Sequence, residues 1–144
     1  MKFLNLNNNP HAGDRGCNFI TEHVVRHGKL RTLFLSGNGL TDESVVKLAE
    51  QLRSNTTLRI LELRKNEITD RGAFALADAL SRNKTLASLF LSTNQIGSEG
   101  AVKLVTSLGE SGQCKIWLDA NPNISEQTQK TLTELAGNLV KFKG

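Results

Sequence analysis

Three sets of side chains in this 144-residue chain could do chemistry. His23 and His27 lie four apart, so on a helix they would bring two imidazoles to one face, the beginning of a metal site. No third ligand has a matching spacing. The sequence also holds no Gly-x-Ser-x-Gly elbow, no phosphate loop and no metalloprotease motif. The histidines therefore read as surface residues, and the chain reads as a non-enzyme with no catalytic residue, metal or cofactor. The second set is a pair of cysteines, Cys17 and Cys114. The third is a group of aromatics, Phe34, Phe90 and Trp117, with the charged residues Glu62, Arg64, Lys65 and Asp119. Aromatic anchors bordered by charge suit recognition of a protein, the rings supplying contact area and the charges orientation. These seven residues are scattered along the chain. A periodicity brings them together.

Asn9, Asn38, Asn66, Asn94 and Asn121 recur at intervals of 29, 28, 28 and 27 residues. Five and three residues before each stand Leu4 and Leu6, Leu33 and Leu35, Leu61 and Leu63, Leu89 and Leu91, and Ile116 and Leu118. Strict alternation of that kind is a short strand with one buried face. After each asparagine the period changes. Val45, Leu48, Ala49 and Leu52 fall on one helical stripe, as do Ala73, Leu76, Ala77 and Leu80, then Ala101, Leu104, Val105 and Leu108. Thr41-Asp42 and Thr69-Asp70 suit helix starts. Cys17, Ile20, Thr21 and Val24 repeat the stripe in the first unit if one residue is inserted after Asn9, and Leu132, Leu135 and Leu139 predict a closing helix from about Ser125 to Val140. A repeat of this length is a solenoid, in which stacking buries what no unit could bury alone. The expected fold is therefore α/β: one domain over 1–144, with about five strand–helix units near 1–29, 30–57, 58–85, 86–112 and 113–144. Parallel strands should line a concave face and the bulkier helices a convex one.

The repeat also decides the remaining polar features. A buried asparagine amide can satisfy backbone groups where each strand ends, so the five form a ladder inside the fold. Asn55-Thr56-Thr57, Asn83-Lys84-Thr85 and Asn123-Ile124-Ser125 match a glycosylation pattern, but two of them recur in the same loop and read as repeat chemistry. The cysteines fall near opposite ends of the stack, too far apart for a disulfide, which implies a reducing, cytoplasmic setting. No run approaches 18 apolar residues, so no membrane span is expected. The net charge of +4 comes without a basic run, and charges alternate along the helices as on a solvated face.

The phrase Leu-x-x-Leu-x-Leu-x-x-Asn at Leu30–Asn38, Leu58–Asn66 and Leu86–Asn94 resembles the leucine-rich repeat family. The unit of about 28 residues, with Leu-Ala-x-x-Leu before an Asn-x-Thr loop, resembles its ribonuclease-inhibitor-like subfamily. The resemblance implies binding of proteins through the concave sheet. Such families include enzyme inhibitors, immune sensors, GTPase activators, actin-filament cappers and effectors of intracellular bacteria. The strand at residue 2 has no cap before it, which leaves an open sheet edge. The expectation is a monomer or a weak dimer through that edge, or a fragment of a larger repeat receptor, actin-binding protein or GTPase activator.

In this register, residues between the buried leucines face the other way. The position four before each asparagine reads Asn5, Phe34, Glu62, Phe90 and Trp117; two before, it reads Asn7, Ser36, Arg64, Ser92 and Asp119. Phe34, Phe90 and Trp117 are the expected anchors, and Glu62, Arg64, Lys65 and Asp119 the residues that select the partner. Nucleic acid is not expected, because Glu62 and Asp119 interrupt the row. The functional expectation is a module that binds a protein, with capping of an enzyme's active site, as by a bacterial effector in a host cytosol or its regulator, as one outcome.

Overall fold

A computed structural model describes residues 1–109 and 112–143. Six strands, β1 (Phe3–Asn5), β2 (Thr32–Phe34), β3 (Ile60–Glu62), β4 (Ser88–Phe90), β5 (Lys115–Trp117) and β6 (Val140–Lys141), form one parallel sheet in chain order. Between them run α1 (Gly13–Ile20), α2 (Asp42–Leu52), α3 (Asp70–Arg82), α4 (Ser98–Thr106) and α5 (Glu126–Ala136), which make the second layer. Every connection is a strand–helix–strand crossover, the only economical way to join parallel strands. The arrangement is the expected solenoid. Leu33, Leu61, Leu89 and Ile116 occupy equivalent places in the paired strands, and all are fully buried. The helical stripes pack onto them: Val45, Leu48, Ala73, Leu76, Ala101 and Leu104 are buried too.

Polar side chains hold unit to unit. Asn66 Nδ2 donates to the carbonyls of Leu35 (3.1 Å) and Leu63 (3.0 Å), while its Oδ1 accepts from the backbone N–H of Asn38 (3.1 Å) and Leu40 (3.0 Å). Asn94 and Asn121 repeat both carbonyl bonds one and two units on, and their Oδ1 atoms accept from the N–H of Ile68 and Ile96. The first rung differs: Asn9 is exposed, and its amide donates only to Leu6 and Asn7 of its own strand segment. The residue before each ladder asparagine has a left-handed backbone, at Asn8, Gly37, Lys65, Thr93 and Ala120 (φ 62°, 67°, 56°, 57° and 56°). That reversal ends the strand and, from Asn38 onward, turns the asparagine inward. In the return loops, Asn83 is buried; its Oδ1 accepts from the N–H of Thr85 and Leu86, and its Nδ2 donates to Leu52 and Asn55 carbonyls. Asn55 makes the matching loop bonds.

A second series joins the helix starts. Asp42 accepts from the N–H and hydroxyl of Thr69 and from the Gly72 N–H, so it caps α3 from the preceding unit. Asp14 does the same for Thr41 and Ser44 at α2, and Asp70 for Gly97 and Gly100 at α4. A carboxylate at a helix N-terminus satisfies free N–H groups and complements the helix dipole. Gly72 makes the approach possible, since a Cβ there would stand 2.5 Å from the Asp42 carboxylate. Burial opposes ionisation of Asp14, but the hydrogen bonds from Ser44 and Thr41 outweigh it and hold its pKa below the ordinary carboxylate value.

The two ends depart from the expected register. α1 continues into a π turn, Thr21–Val25, in which the Arg26 N–H reaches the Thr21 carbonyl. The extra residue puts Cys17, Thr21 and Val25 inside, so Val25 takes the place expected of Val24. At the other end the closing helix stops at Ala136, four residues before the expected Val140. Gly137, in the left-handed region (φ 55°), redirects the chain through a 3-10 turn into β6. The sixth strand puts Val140 against Ile116 and Lys141 beside Trp117.

Candidate binding face on the sheet

The outward residues of the strands meet across the sheet as the register requires: Phe34 beside Glu62, Glu62 beside Phe90, Phe90 beside Trp117, and Trp117 beside Lys141. Their side chains form two groups. Toward β6, the Phe90 and Trp117 rings stack with centroids 4.2 Å apart and planes 17° apart. The Arg64 guanidinium lies 4.9 Å from the Phe90 ring centre, on the β3 side. Phe90 is thus held between a cation and the indole, each contact favourable to its ring face. Toward β1, Phe34 meets Phe3 edge to face, with centroids 5.2 Å apart at 76°. The single expected row of anchors is two aromatic clusters with β3 between them.

Glu62 departs most from expectation. Its side chain is 3% exposed, so the carboxylate does not face a partner. Its oxygens accept from the Arg64 backbone N–H (2.8 Å) and Nε (2.7 Å), with a further ion pair to Nη2. A buried charge survives only with such pairing. Glu62 therefore fixes Arg64, whose side chain remains 47% exposed. Hydrogen bonding to Glu62 raises the Arg64 pKa further above its already high value, with a smaller contribution from the nearby Asp119. Asp119 is half-buried and accepts from the buried Ser92 hydroxyl (2.5 Å). Lys65 is exposed at its left-handed turn. The structure thus brings together Glu62, Arg64, Phe90, Trp117 and Asp119, and leaves Phe34 with the other cluster.

Two contributors escaped the sequence reading. Phe3 lies six before Asn9, on the same alternation as the chosen row, and extending that row by one step would have found it. Lys141 belongs to β6, where Val-Lys-Phe stands in place of the Leu-x-Leu of the repeat phrase. His23 and His27 are both exposed, with His23 against Phe19 (4.4 Å between ring centres). Among the described residues no three His, Cys, Asp or Glu are grouped to hold a metal, and no helix is long and apolar enough to cross a membrane. Cys17 and Cys114 are separate, buried free thiols; burial pushes Cys114 up to about 12 and Cys17 above its ordinary value.

The "Leucine Rich repeat" family model matches residues 29–49, 54–77 and 82–105, the second to fourth strand–helix units, where the spacing is most regular. These three units are leucine-rich repeats. Among solved structures, the leucine-rich chain is similar to one described as "Leiomodin-1 Actin-Binding Site 2 (ABS2)", at 22% identity and a TM-score of 0.80, over 96% of this chain and 80% of that one. It is also similar to a Caenorhabditis elegans tropomodulin C-terminal domain, at 13% identity and a TM-score of 0.77, over 96% and 84%. At these identities the likeness is one of fold. Comparison with curated proteins gives no match. Nothing in these comparisons singles out the ribonuclease-inhibitor-like subfamily.

Proposed function

We propose that this chain is a non-catalytic interaction module that binds a protein through the outward face of its sheet. Phe90 and Trp117 act as the central anchors, and Phe34 with Phe3 as a second anchor. Arg64, Lys65 and Asp119 orient the partner, and Glu62 positions Arg64. The observation that carries this reading is the Phe90–Trp117 stack, part-exposed on the sheet and braced by Arg64. Rigid aromatic pairs lose little conformational freedom on binding, which is why such groups dominate interface energetics. The buried free thiols fit a reducing cytoplasm.

Two partners follow from different observations. The resemblance to inhibitor-type repeats supports an enzyme whose active site is covered by the concave face, as a bacterial effector or its regulator would do. The leiomodin structure, whose description names an actin-binding site, supports actin. The decisive experiment captures partners from a lysate with the native chain and with a Phe34→Ala, Phe90→Ala, Trp117→Ala variant shown to be folded. Loss of specific partners is expected. Retrieval of the same proteins with equal affinity would sink the sheet-face reading. Sedimentation with actin filaments then separates the two partners: co-sedimentation of the native chain but not the variant favours actin.

A further inference from the structure

Charge is divided between the two layers of this molecule in a way its total conceals. Consider the strands with one residue before each and the three that follow. This band holds eight of the 18 basic residues but two of the 14 acidic ones, Glu62 and Asp119, so it carries +6 and the rest of the chain −2, within the net +4. Both acids in the band are already engaged, Glu62 with Arg64 and Asp119 with the Ser92 hydroxyl. Lys115 and Lys141 are not in any ion pair among the described residues. They flank Trp117: Lys115 lies two residues before it on the same side of β5, and Lys141 lies beside it in register on β6. Arg64 completes the set from the far side of Phe90, with its Nη1 donors unused by Glu62.

We infer that the segment this face recognises is acidic: a carboxylate-rich stretch of a protein, laid across β3 to β6 with an apolar side chain on the Phe90–Trp117 pair and carboxylates on Arg64, Lys115 and Lys141. This rests on the sheet-face reading above and adds the chemistry of the partner. The four strands span roughly 15 Å at about 4.8 Å each, the length of about five extended residues. The aromatic geometry favours a protein over a nucleic acid. Phe90 has one ring face against Trp117 and the other against Arg64, so it offers its edge, not a platform on which a base could stack. Ring edges carry partial positive charge and suit a carboxylate.

Trp117 is the single tryptophan, so its fluorescence reports on this place alone. The full chain is titrated with three probes of about ten units each, long enough to overrun the band: a peptide of glutamate and leucine, the same peptide with glutamine for glutamate, and a thymidine oligonucleotide. Saturable change in Trp117 emission is expected with the glutamate peptide only, weakening as salt rises from about 50 to about 500 mM. A Lys115→Glu, Lys141→Glu variant should bind it at least about tenfold more weakly with unchanged thermal unfolding, since neither side chain is buried or in an ion pair among the described residues. Equal response to the glutamine peptide overturns the acidic partner while leaving the sheet face as a binding site. Tighter binding of the oligonucleotide replaces the protein segment with a nucleic acid. Silence toward all three probes overturns the proposal as well, and the sheet-face reading is then judged on the capture experiment by itself.

Discussion

Leu89 and Phe90 are consecutive residues of β4, yet they answer to different demands. On the inner side of the sheet the same position reads Leu33, Leu61, Leu89 and Ile116, all fully buried. On the outer side the next position reads Phe34, Glu62, Phe90 and Trp117. An inner residue must fit the unit before it, the unit after it and its own helix, so each unit is driven to the same solution. An outer residue meets only other residues of the sheet's outer face, with no helix of its own unit packed on it. Sameness inside records packing; difference outside is where a partner can be specified.

Substitutions test this division. Leu89→Ala should destabilise the protein by roughly 2–5 kcal/mol in urea unfolding, because it leaves a cavity at the centre of the stack. Phe90→Ala one residue away should cost about 1 kcal/mol or less and act mainly on binding. Reversal of that order would mean the inner and outer faces were wrongly assigned. Next in size, Asn94→Ala removes the bonds to Leu63 and Leu91 and exposes the Ile68 N–H to an apolar setting, an expected loss of roughly 2–3 kcal/mol. Arg64→Ala probes the place where the division fails. The side chain is outward, but its loss leaves the buried Glu62 carboxylate with only the residue-64 backbone N–H, and a cost of roughly 1–3 kcal/mol is expected, above that of Phe90→Ala. A neutral Arg64→Ala would show that water reaches Glu62.

The smallest effect concerns acid. The folded-state pKa of Asp14 lies below its unfolded value, so its contribution is complete above the ordinary carboxylate pKa and is lost as pH falls through the folded value. Urea midpoints measured between about pH 5 and pH 2 should fall less steeply for Asp14→Asn than for the native chain. Equal slopes would remove Asp14 from the list of groups that tie α1 to α2.

The middle of the stack was legible because its units obey one rule. From Leu30 to Leu108 the strand alternation, the helical stripe and the asparagine agree, and the structure places each residue accordingly. In the first and last described units the rule loosens. The π turn at Thr21–Val25 shifts burial by one residue, which no periodicity of 3.6 could reveal. β6 carries two strand residues, and its Val-Lys-Phe holds none of the leucines by which the other strands align. The outer face was legible as to direction but not as to contact. Alternation shows which way Glu62 points; it does not show that Arg64, two residues later, folds back over it and buries it.

The aspartate bridges run one way. Asp14 serves the helix after it, Asp42 the next and Asp70 the one beyond. The asparagine amides run the other way, each reaching back to a carbonyl of the unit already made. Along the chain, the units of Asp14, Asp42 and Asp70 therefore each present a carboxylate to the helix that follows, and each following unit returns an amide to the strand segment before it. The same residues that tie the stack together make it polar, with carboxylates reaching toward one end and amides toward the other.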